Sequence, residues 1–208
     1  YAYLFVGALG QPQTPIATTV PCVGVAGTCA YNPAARFALA DTNHALTGRV
    51  ALSYTLPDNT LLYASYNRGY RAGAVNGGGY TSSSGIYYIE PERVNAYEVG
   101  VKGRYFDRAL TLSASAFYYD YTNQQLQDTR PGPVSFLVNA PKSTVYGFEV
   151  ETQLRAARTF RINVALGLLH SEYKTLTLQG TDLSGNELPF APKMTAQLGF
   201  EWDMIEVG

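Results

Sequence analysis

Residues 146–155, YGFEVETQLR, place Tyr146, Phe148, Val150 and Leu154 at one parity and Gly147, Glu149, Glu151, Gln153 and Arg155 at the other. Side chains along an extended strand alternate between two faces, so this segment carries one apolar face and one charged face. Two surroundings satisfy such a strand. In a soluble sandwich the apolar face meets a second sheet. In a membrane-spanning barrel it meets lipid, and the charged face lines a watery lumen.

The same alternation recurs along the chain. Leu46, Val50, Leu52, Tyr54 and Leu56 oppose Thr47, Arg49, Ser53 and Thr55, and Tyr97, Val99, Val101 and Tyr105 oppose Glu98, Lys102 and Arg104. Leu110, Leu112, Ala114, Ala116 and Tyr118 oppose Thr111, Ser113 and Ser115. Ile162, Val164, Leu166 and Leu168 oppose Arg161, Asn163 and Gly167, while Met194, Ala196, Leu198, Phe200 and Trp202 oppose Lys193, Thr195, Gln197, Glu201 and Asp203. In TLLYASYNRGY, Leu62, Ala64 and Tyr66 form the expected outer face, with Ser65 and Asn67 inside. These runs exceed the ~5–6 residues of a common globular strand. They suit the ~9–11 residues that cross a bilayer at a tilt. Nothing reads as a helix.

The connections separate the two surroundings further. LPDN (56–59), FDRA (106–109) and AART (156–159) are tight turns, whereas 10–43, 72–91, 123–142 and 174–190 are long and rich in Gly, Pro, Ser, Thr and Asn. Short turns alternating with long loops is the wiring of an outer-membrane barrel. The expected fold class is therefore all-β, an antiparallel up-and-down transmembrane barrel. Every long loop is expected at one end and every short turn at the other. A soluble β-sandwich binding module is the competing architecture.

Composition agrees. Charged residues are 15 %, against roughly 25 % in soluble domains, and the chain holds 17 Tyr and 20 Gly. A net charge of −1 gives no bulk attraction to nucleic acid. Tyr54, Tyr66, Tyr70, Tyr105, Tyr118, Tyr119, Tyr121 and Trp202 fall near strand ends, where an interfacial girdle would lie. Glu98, Lys102, Arg104, Glu149, Glu151, Arg155 and Glu201 share the inward parity and read as a hydrated ion-pair lattice on the lumen wall.

Cys22 and Cys29 in PCVGVAGTC have no CxxC spacing and no His or Cys cluster beside them. The expectation is a small loop disulfide in an oxidising compartment, with two free thiols as the alternative. The two histidines, His44 and His170, lack metal-site neighbours in sequence, and the glycine-rich stretches do not join a strand to a helix as a phosphate loop requires. No catalytic constellation and no cofactor are read from the chain, so it is not expected to be an enzyme.

Five stretches, in order, carry a more specific signal: YASYNRGYRAG, PERVNAYEVGVK, AFYYDY, NAPKSTVYGFEVE and LPFAPK. Together with their surroundings over residues 44–203 they resemble the barrel of TonB-dependent outer-membrane receptors, in its C-terminal half. The resemblance implies a barrel of about 22 strands, an N-terminal plug inside it, and energised uptake of a scarce nutrient such as a ferric siderophore. On this reading the chain holds about eight of those strands, residues 44–203 being barrel strands and residues 1–43 the end of a strand and a variable outer loop. Neither a plug nor a TonB-gripping segment is read here, so an open curved sheet is expected.

The resemblance also implies location in the outer membrane of a Gram-negative bacterium. The partners would be outer-membrane lipid, TonB acting through a plug, and a small ligand such as a ferric siderophore; nucleic acid is not among them. Within the outer loops, Arg68, Tyr70, Arg71, Asn76, Tyr80, Tyr87 and Tyr88 are the candidate ligand contacts, because arginine and tyrosine suit an anionic, catecholate or sugar ligand. A structural or adhesive surface barrel is the alternative function.

Overall fold

A computed structural model describes residues 43–76, 87–129 and 135–204, together with the backbone of three earlier strands. Those three are β1 (Ala2–Leu9), β2 (Ile16–Thr19) and β3 (Arg36–Leu39). Next come β4 (Ala45–Thr55), β5 (Leu61–Arg71), β6 (Ala74–Asn76), β7 (Tyr87–Ile89) and β8 (Glu92–Tyr105). The rest are β9 (Leu110–Thr129), β10 (Ser135–Ala157), β11 (Phe160–Thr175), β12 (Thr177–Leu178), β13 (Thr181–Asp182) and β14 (Met194–Trp202). All described elements are strands.

Eight strands form one sheet in the order β1-β4-β5-β8-β9-β10-β11-β14, each antiparallel to its neighbours. Because the strands alternate in direction, the turns after β4, β8 and β10 leave from one end. The connections after β1, β5, β9 and β11 leave from the other. The three small hairpins, β2–β3, β6–β7 and β12–β13, all belong to that second end. The sheet does not close: β1 and β14 each have one neighbour in it.

The tight turns follow from local chemistry. In LPDNT, Asn59 N–H donates to the Leu56 carbonyl at 2.9 Å and Leu56 N–H donates to the Thr60 carbonyl at 2.8 Å. Pro57 presets the first central φ of this turn, and Asn59, at φ 65°, occupies the left-handed position that closes a three-residue hairpin. The Asp58 carboxylate accepts from Thr60 N–H at 3.0 Å. In FDRA, Asp107 and Arg108 hold φ of 52° and 67° between Phe106 and the Ala109 N–H that returns to its carbonyl. That is a type I′ turn, whose backbone twist matches the flanking strands.

The expected faces are the observed ones. Reading across the ladder, Val99, Ala116, Phe148, Leu168 and Met194 form one row, and Val101, Ala114, Val150, Leu166 and Ala196 the next. Val164, Leu198 and Phe200 continue this surface. Glu98, Lys102, Glu149, Glu151, Gln197 and Glu201 occupy the opposite parity. The apolar face has no protein over it: Val99 is 56 % exposed, Leu198 72 % and Phe200 74 %. Among the described residues the hydrophobic core side chains are Ile89, Ala140, Tyr173 and Leu176, all at the long-loop end. A sandwich needs its core between sheet faces, so this placement removes that architecture.

Tyr66, Tyr97, Tyr118, Tyr146 and His170 lie directly opposite one another across five strands. Their ring centroids are separated by 5.1, 6.5, 6.3 and 4.9 Å. This aromatic row marks the upper edge of the apolar band, and Tyr105, Phe160, Phe200 and Trp202 mark the lower. From Phe160 to His170 along β11 is ten residues, or ~34 Å of strand and ~26 Å of height at a ~40° tilt. That matches the ~25 Å apolar band of outer-membrane barrels.

Three sequence expectations change. Residues 123–142 are not a long loop, since β9 and β10 stay paired from Thr129↔Ser135 down to the membrane segment. Tyr119 and Tyr121 are not in the girdle: they share the inner parity of Val145 and Ser143, and Tyr119 stacks on Phe117 at 5.0 Å. The lumen charges do not form a continuous ion-pair lattice. Among the described inner-face residues the ion pairs are those of Arg161 with Glu201 (2.9 Å) and Asp203 (3.7 Å) at the short-turn end, and that of Lys193 with Glu187 (2.5 Å) towards the other.

Leu166 sits mid-band on the apolar face. Leu166→Arg in the receptor carrying this chain should cost ~2–4 kcal/mol of stability in a bilayer. Gln197→Arg, on the inner face, should cost well under half of that. Urea-unfolding free energies of protein folded into lipid vesicles check both. At the β4–β5 turn, Asn59→Ala should destabilise by ~1 kcal/mol, because the short polar Asn side chain eases φ near 65° and the Ala methyl does not, whereas Asn59→Gly should not.

Candidate functional site

The inner wall begins with small residues opposite large ones. Tyr63, Gly100, Ser115, Glu149, Gly167 and Thr195 form one inward row. The Tyr63 ring lies flat over Gly100, where an added Cβ would sit 2.5 Å from the ring, and its hydroxyl donates to Glu98 Oε1 at 2.6 Å. Lys102 Nζ stands 5.6 Å from the same ring's centroid, within cation–π range. Along the same row and the next one down, Glu149 and Glu151 face inward beside Thr195 and Gln197 in a shallow groove. Arg104, Arg108, Arg155 and Arg161 surround a recess at the short-turn rim. The wall is therefore hydroxyl- and carboxylate-rich at mid-height and basic at the lower rim.

At the opposite end the outer loops are held by two side-chain amides. Gln125 N–H donates to Glu92 Oε2 at 2.8 Å, and its side-chain amide donates to the carbonyls of Ala72 (2.8 Å) and Glu90 (3.2 Å). Asn139 both accepts from Glu90 N–H (2.8 Å) and donates to the carbonyls of Glu90 (3.0 Å) and Asn123 (2.8 Å). Gln125 is buried and Asn139 half-buried, and polar groups satisfied this fully fix a backbone in one arrangement. They tie the β6–β7 hairpin to the projecting β9–β10 pair.

A second block comes from apolar packing. Ala140, Tyr173 and Leu176 are buried, with Leu126, Leu178, Leu183 and Leu188 packed against them. Tyr173 N–H donates to the Asn186 carbonyl at 2.9 Å, and Leu188 N–H donates to Ser171 Oγ at 3.1 Å. Burial pushes the Tyr173 hydroxyl above its ordinary range, keeping it protonated. Two hydrogen bonds from Ser184 hold the Asp182 carboxyl below its own range.

The candidate ligand residues divide between locations. Arg71 is on the inner parity opposite Glu92. Asn76 pairs with Tyr87 in the β6–β7 hairpin, and Val75 with Tyr88. Tyr87 donates to the Leu137 carbonyl at 2.8 Å, and Tyr88 accepts from the Asn43 amide while covering Gly73. The fold thus gathers Arg71, Asn76, Tyr87 and Tyr88 at one side of the mouth. Arg68 and Tyr70 share the outward parity of Tyr66 instead. Tyr80, and Cys22 and Cys29 with their expected disulfide, lie outside the described residues.

Sequence reasoning missed Gln125, Asn139 and Tyr63. The first two sit in stretches whose polarity reads as solvated loop. Tyr63 could have been found from its parity alone, between inward Ser65 and Leu61. Groups of three or more His, Cys, Asp or Glu able to hold a metal are absent among the described residues.

An open antiparallel meander with a lipid-facing apolar band, an inner polar wall and ordered outer loops defines a transmembrane barrel wall. The family model for TonB dependent receptor-like, beta-barrel matches residues 26–207. The chain belongs to the TonB-dependent receptor family.

Among curated relatives, a protein named Probable TonB-dependent siderophore receptor PiuA, from Acinetobacter baumannii, is 27 % identical over 184 residues, covering 81 % of this chain and 24 % of that protein. The Pesticin receptor of Yersinia enterocolitica is 28 % identical over 151 residues, covering 72 % and 21 %. Among solved structures, the ferric yersiniabactin uptake receptor FyuA from Yersinia pestis superposes with a TM-score of 0.60 at 22 % identity, over 79 % of this chain and 24 % of that one. The copper transporter OprC gives 0.65 at 20 % identity, over 86 % and 27 %. At these identities the structural matches establish the fold. The chain spans about a quarter of the length of the relatives it matches.

Gly147 tests the tightness of the wall. A Cβ there would lie 2.3 Å from the Leu168 carbonyl oxygen and 2.7 Å from the Phe117 ring. Gly147→Ala should destabilise the folded receptor by ~1–3 kcal/mol through overpacking. Gly199→Ala, with its nearest neighbour at 3.9 Å, should be close to neutral in the same urea titration.

Proposed function

We propose that this chain forms part of the barrel wall of an outer-membrane receptor that captures a ferric siderophore and imports it with energy delivered through TonB. The observation that carries the reading is the pairing of a lipid-facing apolar band with outer loops locked by Gln125 and Asn139. A barrel that only anchored itself would not need an ordered mouth. The names of the relatives, receptors for siderophores and for pesticin, support the same class of cargo. On this reading Arg71, Asn76, Tyr80, Tyr87 and Tyr88 contact the ligand, and residues 10–43 add a further outer loop. The polar inner wall, with Glu98, Glu149 and Glu151 facing the lumen, meets the plug.

Deletion of the gene should abolish growth on one ferric siderophore as sole iron source. Restoring the intact gene should restore it, and deletion of the TonB gene should block it again. Growth unaffected by either deletion across a panel of catecholate, hydroxamate and carboxylate siderophores would overturn the assignment. In the purified whole receptor, the Arg71→Ala, Tyr87→Ala double variant should bind that siderophore about tenfold more weakly, or ~1.4 kcal/mol. Tryptophan-fluorescence titration measures it.

A further inference from the structure

The lipid-facing surface above the aromatic row is not uniform. One step up from that row lie Arg68, Asn95, Asp120, Thr144 and Glu172, and the next step holds Tyr70, Arg93, Thr122 and Lys142. Over β9, β10 and β11 each base has an acid. Lys142 Nζ is 3.6 Å from Asp120, Glu172 pairs with Lys174, and His170 Nε2 is 3.8 Å from Glu172. Over β4, β5 and β8 the bases have none: neither Arg68 nor Arg93 has a carboxylate partner among the described residues. These two arginines, with His44, Leu46 and Tyr70, line a recess of about 120 Å³. The Tyr70 hydroxyl is buried and finds no hydrogen-bond partner among the described residues.

The height of the recess matters. Arg68 is two residues beyond Tyr66, ~7 Å along the strand and ~5 Å up at the usual tilt. That is the headgroup layer, immediately outside the hydrocarbon. Two unpaired guanidiniums and a hydroxyl donor converge there, and a guanidinium fork matches phosphate oxygens in geometry and charge. Leu46 at the base of the recess, with the apolar band beneath it, suits the start of an acyl chain.

We propose that His44, Arg68, Tyr70 and Arg93 form a binding site on the outside of the barrel wall for the phosphate of an outer-leaflet lipid headgroup. The proposal rests on the outer-membrane placement argued above. It separates Arg68 and Tyr70 from the ligand-facing residues of the mouth. The arginines donate to the phosphate oxygens, Tyr70 supplies one further hydrogen bond, and the lipid fills the surface between the girdle and the outer loops.

Native mass spectrometry of the whole receptor, delipidated in detergent and titrated with phosphorylated lipid A, tests this. Wild type should retain one lipid A, and the Arg68→Gln, Arg93→Gln double variant should need at least tenfold more for equal occupancy. Lys142→Gln, whose partner is Asp120, should titrate as wild type. Tyr70→Phe should lower occupancy, and Arg68→Lys, Arg93→Lys should restore part of it, which keeps the test decisive if the neutral variant folds poorly. Dephosphorylated lipid A should bind weakly, and inorganic phosphate should not displace the lipid. Equal retention by wild type and the neutral double variant would overturn the site. So would displacement by inorganic phosphate, which would mark a free-anion site instead. Siderophore-dependent growth is scored separately: its loss in the gene deletion with no lipid retained by the wild type removes this site alone. Lipid retained by a receptor whose deletion leaves growth unchanged removes the transport reading alone.

Discussion

The whole arrangement depends on an apolar sheet face that no part of the protein covers. The six inner strands of the main sheet, β4 to β11 in its order, satisfy their backbones through two neighbours each, so the face between them can border hydrocarbon without leaving a peptide group unpaired. Water on that face would confront Val99, Leu198 and Phe200 at more than half exposure each. Lipid removes the conflict. The band height, the aromatic row above it and the short turns below it all follow from fitting this one surface to a bilayer.

The two faces then carry different duties. The inner wall combines glycines with overlying tyrosines, so Tyr63 lies along the wall over Gly100 rather than across the lumen. Its carboxylates remain available because few are consumed in ion pairs; Glu98 accepts from a hydroxyl instead. The outer face, above the band, sorts its charges by sector. Acids neutralise the bases over β9 to β11, and the pair over β5 and β8 is left cationic.

Much of this was legible in the sequence because lipid and water impose opposite demands on adjacent residues. YGFEVETQLR declares its two faces, and LPDN and FDRA declare their turns. Where both faces of a strand meet water that contrast disappears. Hence NQQLQDT and SFLVNAPK, paired in β9 and β10, resembled loop. Tyr119 and Tyr121 were misplaced for a related reason: an aromatic near a strand end is compatible with either parity, and only the count from Tyr118 decides. Arg68 and Tyr70 illustrate it again, since parity with Tyr66 outweighs their proximity to the glycine-rich loop. Gln125 and Asn139 could not be recognised as anchors, because the carbonyls their side-chain amides donate to lie 16 to 53 residues away in sequence.

The paired extension of β9 and β10 has a consequence for how a solute first meets the protein. From Tyr118 in the aromatic row to Thr129 at its end is eleven residues, ~37 Å of strand and ~28 Å of height. The polar layer of a leaflet is only ~5–8 Å deep. The hairpin therefore stands like a mast well clear of the headgroups, stiffened at its foot by Asn139 and braced by Tyr173 and Leu176. A large solute arriving from the long-loop side therefore meets this paired extension before it meets the headgroup layer.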